Sequence, residues 1–126
     1  MPAECVRLQT ALATRLGIHP HSEPFAVLNE VQRRATHLPG INAENALDLY
    51  KVIALFGINA GTEVFINWHR FDRIDRIALL DLSNHFSDIW YPGSDDIEIF
   101  DESFDWLVAV HHDGDVRVIP SLTSAI

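Results

Sequence analysis

Four carboxylates, Asp95, Asp96, Glu98 and Asp101, follow directly on the aromatic pair Trp90-Tyr91 and a Pro92-Gly93 turn, within the stretch Asp88 to Asp101 (DIWYPGSDDIEIFD). Oxygen ligands at this density suit a hard cation. The order of acidic positions with a central Gly and a closing Glu that an EF-hand loop requires is missing, however, so a solvated acidic surface is the expectation and no metal is assigned. The histidine pairs His19/His21 and His111/His112 invite a zinc reading, but neither has the four-residue helical spacing of a zinc motif. The single cysteine, Cys5, offers no second thiolate and belongs to a helix face. His112 beside Asp113 could form half of an acid/base pair, yet no serine stands in a GxSxG elbow and no catalytic residue is assigned. The six glycines form neither GxGxxG nor GxxxxGK[ST], which leaves no cofactor expected. Trp90 and Tyr91 could serve as a binding platform, against the commoner fate of such aromatics as core.

Charge supplies the functional direction. The chain of 126 residues carries a net charge of -9, and the division is uneven. Through Arg76, eight acidic residues balance eight basic ones, whereas from Ile77 onward ten acidic residues face the lone cation Arg117. Such a field repels nucleic-acid phosphates and anionic membranes and attracts basic proteins. Arg33-Arg34 and the Arg70, Arg73, Arg76 group are the only basic clusters, and Asp72 and Asp75 interleave the latter, so no nucleic-acid stripe forms. With no apolar signal core, no run of membrane-spanning length and one cysteine, the sequence predicts a soluble cytoplasmic protein.

The elements that must position these residues read as one α+β domain over 1–126, helical over about 3–57 and sheet over about 62–120, with N-terminal helices packed on a mostly antiparallel sheet of four to five strands. Leu8, Leu12 and Leu16 mark a first helix from Ala3 that stops at Gly17. Ser22 is an N-cap candidate for a second helix running to about His37, with Phe25, Leu28, Val31 and Ala35 as its apolar stripe and Leu38-Pro39-Gly40 as its end. A third helix, Ala43 to Phe56, takes Asn42 as its cap. Alternation from Thr62 to His69 gives the first strand. Arg70 to Ile77 reads as a loop passing into a short strand, and Leu79 to Trp90 as a short helix feeding a type II turn at Tyr91-Pro92-Gly93-Ser94. Asp96 to Asp101 then forms a strand with Ile97 and Ile99 on one face and Glu98 and Phe100 on the other. Asp105 to His112, apolar on both faces, is the central strand. Asp113-Gly114 is a two-residue hairpin turn that places Val110 opposite Arg117 and Val108 opposite Ile119, and the tail from Pro120 to Ile126 is expected to fray.

Over about residues 62 to 119, the segments VFINWHR, DIWYPGSDD, IEIFD and WLVAVHHDGDV resemble small bacterial proteins with a DIWYP-x-SDD core, of the general α+β type that includes the SUKH superfamily. The resemblance implies an immunity protein that neutralises a toxin, and it transfers no catalytic residue. Joined to the charge pattern, it suggests an acidic protein-binding module or antitoxin for a basic toxin such as a nuclease, with Trp90, Tyr91, Asp95, Asp96, Glu98 and Asp101 as the contact surface. Two other readings stay open: a small enzyme whose pocket would be lined by His111, His112 and carboxylates, and a housekeeping domain whose acidity serves solubility.

Overall fold

The computed structural model describes residues 2–122. It holds five helices and one six-stranded sheet in which every pairing is antiparallel, so the α+β class stands and the strand count rises to six. Helix α1 (Ala3–Arg15) forms as the leucine spacing predicts, with Leu8, Leu12 and Leu16 buried. Gly17 ends it at φ 75, while the Ile18 N–H returns to the Ala13 carbonyl at 3.1 Å.

Helix α2 (Pro24–Arg34) is shorter than expected and is capped differently. Ser22 donates its hydroxyl to His19 O at 2.6 Å rather than capping, and Pro24 takes the first helical position after Glu23. The buried stripe is Val27 and Val31, with Leu28 at its margin; Phe25 is 73% exposed. Ala35 turns extended, and the residues read as the helix end become strand β1 (Thr36–Asn42). Pro39 lacks an N–H and reads as a stop, but an edge strand tolerates that loss, and β1 lies at the sheet edge.

Helix α3 (Leu49–Leu55) starts at Asp48, whose carboxylate accepts from Lys51 N at 3.1 Å; Asn42 instead holds a local turn through Glu44 N at 2.8 Å. Strands β2 (Glu63–Asn67) and β3 (Ile74–Ala78) form a hairpin. The expected helix from Leu79 to Trp90 is broken at His85 into α4 (Leu79–Asn84) and α5 (Phe86–Ile89). Gly93 adopts φ 85 as a Pro-Gly turn requires, but the closing bond runs from Asp95 N to Tyr91 O at 3.2 Å, one residue longer than a type II turn.

Strands β4 (Ile97–Phe100), β5 (Leu107–Val110) and β6 (Asp115–Ile119) complete the order β1-β6-β5-β4-β2-β3. The β5–β6 register differs by one residue from the expected one: Val110 faces Val116, Val108 faces Val118 and Ala109 faces Arg117. The Gly114 N–H bonds His111 O at 2.8 Å and His111 N bonds Asp115 O at 2.9 Å, so the loop is His112-Asp113-Gly114 with positive φ at Gly114 alone. That is the three-residue hairpin with a glycine bulge, and one added loop residue moves every side chain of β6 to the other face.

Two cores follow from this register. On one face, Ile66, Ile97, Ile99, Val108, Val110, Val116 and Val118 pack with Leu49, Val52, Leu82, Phe86 and Trp90 from α3, α4 and the α5 terminus. On the other, Phe65, Phe100, Leu107, Ala109 and Ile119 pack with Leu8, Leu12, Val27 and Val31 of α1 and α2. The sheet is thus covered on both faces. The tail is held as far as Leu122, which is fully buried with its N–H on Asp105 O at 2.5 Å; the rest of the segment expected to fray, 123–126, lies outside the described residues.

Candidate functional site

Strand β2 ends at Asn67, a polar side chain with no exposed surface. A short link to β3 follows, closed by Trp68 N on Arg73 O at 3.1 Å, in which His69 (φ 75) and Phe71 (φ 58) both occupy the left-handed region. For non-glycine residues that backbone costs on the order of 1 kcal/mol each. It is sustained by burial of the Phe71 ring in the α1–α2 core and by the Phe71 N–H, which donates to Asn67 Oδ1 at 3.0 Å.

Asn67 passes this constraint to its cross-strand partner. Its Nδ2 donates to Glu98 Oε1 at 2.8 Å, and Glu98 Oε2 lies 3.1 Å from His69 Nδ1. Glu98 is 2% exposed. Burial pushes its carboxyl above the ordinary range, against the opposing pull of His69 and Asn67. The hydrogen bond to Glu98 in turn pushes His69 above 6.5, against partial desolvation and the nearby Arg70. Both members of the pair therefore hold protons to higher pH than they would in water. With Nδ1 facing the carboxylate, Nε2 is the ring nitrogen left for other partners.

A cleft of about 190 Å³ opens beside this pair. Leu28, Val31 and Gln32 of α2 line one side, Ala109, His111 and His112 another, with His69, Asp96 and Glu98 completing it. Asp96 accepts from the His112 N–H at 2.7 Å and lies 3.0 Å from His112 Nδ1. Desolvation alone would raise Asp96, but the two His112 contacts and His69 outweigh it and hold the carboxyl below its usual value. The arrangement can hold, donate or accept a proton at an oriented imidazole. No group of three or more His, Cys, Asp and Glu among the described residues is placed to hold a metal ion.

The six residues expected on one surface separate. Trp90 is 2% exposed, stacked on Phe86 with its Nε1 donating to Asp95 O at 2.8 Å, and is core rather than anchor. Glu98 lies under the cleft, and Asp101 is buried just past the far end of β4, about 10 Å further along at ~3.3 Å per residue. Asp101 accepts from Gly61 N at 2.8 Å, Ser103 N at 2.9 Å and the Ser103 hydroxyl at 2.5 Å. Tyr91, Asp95 and Asp96 do stay together. Tyr91 is 57% exposed, and Asp95 accepts its N–H at 2.9 Å. The alternation of β4 places Glu98 outward only if one sheet face is open; α1 and α2 cover that face, and Phe100 on the same side was the available signal.

No motif marks Asn67 or His69 in the sequence, since neither stands at a ligand or catalytic spacing from another polar residue, and only the pairing of β2 with β4 brings them to Glu98. The other histidine pair, His19 and His21, closes only a local turn, with His21 N donating to His19 Nδ1 at 3.0 Å. No helix of the described residues is long and apolar enough to cross a membrane. Compared with known proteins, the chain matches no family model, no curated protein and no solved structure.

Proposed function

We propose that the chain is an acidic protein-binding module that docks on a basic protein, an immunity protein for a basic toxin such as a nuclease being the form the sequence resemblance favours. One observation carries the reading. The Gly93 N–H bonds His112 O at 2.7 Å and the His112 N–H bonds Asp96 at 2.7 Å, which joins the loop after Trp90 to the β5–β6 turn. The loop carrying Asp95 and Asp96 is thereby set beside the turn carrying Asp113, with exposed Tyr91 bonded through its N–H to Asp95, in a stretch from Ile77 to Val116 that has no Lys or Arg. Charge of one sign steers a basic partner, and an exposed tyrosine supplies apolar contact with a polar tip. Tyr91 takes the anchoring role that buried Trp90 cannot.

Copurification identifies the partner, and surface plasmon resonance at two salt concentrations then tests the surface. Replacing Asp95 and Asp96 together by Asn slows association and flattens its salt dependence, with a small loss of thermal stability because His112 and His69 favour the charged Asp96. An association rate equal to that of the unaltered protein defeats the docking reading. A second reading, a small enzyme with a His/carboxylate site, is favoured by the cleft itself, since His111, His112, Asp96 and Glu98 all line it.

A further inference from the structure

The cleft beside His69 has a composition that selects a ligand class. Among the described residues, its lining includes two carboxylates, Asp96 and Glu98, and no Lys or Arg. Glu98 is enclosed by protein yet reaches the cleft wall, where its two oxygens face Asn67 and His69. A carboxylate with two oxygens has about four acceptor positions, so these partners leave acceptor capacity unused. The opposite wall is apolar, from Leu28, Val31 and Ala109. At about 190 Å³ the cleft has room for about six waters' worth of ligand at ~30 Å³ each. A small anion meets two carboxylates and no Lys or Arg there, and a neutral apolar molecule leaves the spare acceptor capacity of Asp96 and Glu98 desolvated. A short alkyl chain ending in a charged donor satisfies both walls, the chain on the leucine and valine side and the head on the carboxylates.

We propose that this cleft is a binding site for a primary alkylammonium group, with the ammonium between Asp96 and the His69–Glu98 pair and the alkyl chain against α2. The site shares Asp96 with the proposed docking surface, but a small amine tests it without any protein partner, so it stands or falls apart from that reading. Free amines and lysine side chains share this chemistry. Protonation opposes binding: Glu98 loses negative charge and His69 gains positive charge as pH falls, Asp96 stays ionised to lower pH, His111 and His112 face the same cleft, and Arg70 lies close enough to act on His69.

The test is titration of the whole chain with n-butylammonium, followed by the histidine ring proton resonances. The expected result is a saturable shift of the His69 signals, half complete on the order of 1 mM, as befits a ligand of a few heavy atoms. Affinity weakens as pH is lowered from about 8.5 to about 6. Butyrate and n-butanol produce no comparable shift. Asp96→Asn weakens butylammonium binding about tenfold, the scale of one charge-assisted hydrogen bond. Leu28→Trp fills the apolar wall and abolishes binding, and the unchanged backbone amide spectrum elsewhere shows that the variant folds. Nα-acetyl-lysine N-methylamide distinguishes the sources: saturable binding assigns the site to protein lysines, exclusion to free amines. Absence of a saturable shift with butylammonium, an equal shift with butyrate, or full affinity in Asp96→Asn overturns the proposal.

Discussion

Two buried carboxylates stand three residues apart on and just after β4, and they are held in opposite ways. Asp101, 3% exposed, receives hydrogen bonds from two backbone N–H groups and a hydroxyl, all from the chain segments it ties together. Glu98, 2% exposed, receives one amide hydrogen bond and one contact from a histidine that itself opens on a cleft. Enclosure is equal and satisfaction is not. A carboxylate supplied with local backbone donors is a fastener for loops, whereas one supplied by a titrating imidazole in a left-handed backbone position is a group kept ready to exchange protons or partners.

The largest expected effect lies at the fastener. Asp101→Ala removes the acceptor of the Gly61 and Ser103 N–H groups, which lie on exposed residues that water can reach, and costs about 1–3 kcal/mol of unfolding free energy by urea denaturation. A loss under about 1 kcal/mol would remove the distinction between the two carboxylates. Val108→Ala supplies the scale for ordinary core loss on the neighbouring strand, about 1–3 kcal/mol through lost burial and a cavity. Asp101→Ala should equal or exceed it.

Glu98→Gln is the smallest change in stability and the most informative about pH. The folded state raises both Glu98 and His69, so the stability they contribute is fully present at low pH and is lost as pH rises through their folded values. The window opens above 4.5 and extends past 6.5. Near neutral pH, Glu98→Gln is expected to fall within about 1 kcal/mol of the parent or above it, because a neutral amide avoids the cost of burying charge. As pH falls through the raised Glu98 value toward 4.5, the parent gains on the variant. Urea denaturation at several pH values measures this, and a stability difference that does not vary with pH would return Glu98 to the same class as Asp101.

How far the sequence reached depends on which interactions are local. The leucine spacing of α1, the alternation of β2 and the apolar run of β5 are written within a few residues each, and they form where expected. Strand β1 was hidden because Pro39-Gly40 signals a break, and only the edge position in the finished sheet makes proline acceptable. The β5–β6 register was missed because Asp113-Gly114 fits both a two-residue and a three-residue loop. The hydrophobic match of Val110 with Val116 decides between them, since the alternative sets Val110 opposite Arg117. The candidate site was legible as a set of acidic residues and illegible as an arrangement. Glu98 turns inward only because two helices sixty or more residues earlier cover that face, and no local pattern carries that fact.

The sheet order leaves β1 and β3 as the two unpaired margins, and each is unsuited to growth by another strand. On β1, Pro39 removes a donor and the pairing with β6 slips between His37 and Asn42, which twists the margin away from a flat template. On β3, Asp75 and Arg76 put charge along the margin, and Arg76 is further engaged by Glu63 and by Glu4 of α1. In a chain nearly half apolar, neither border of the described sheet thus offers the flat, unbroken template on which edge-to-edge strand addition begins.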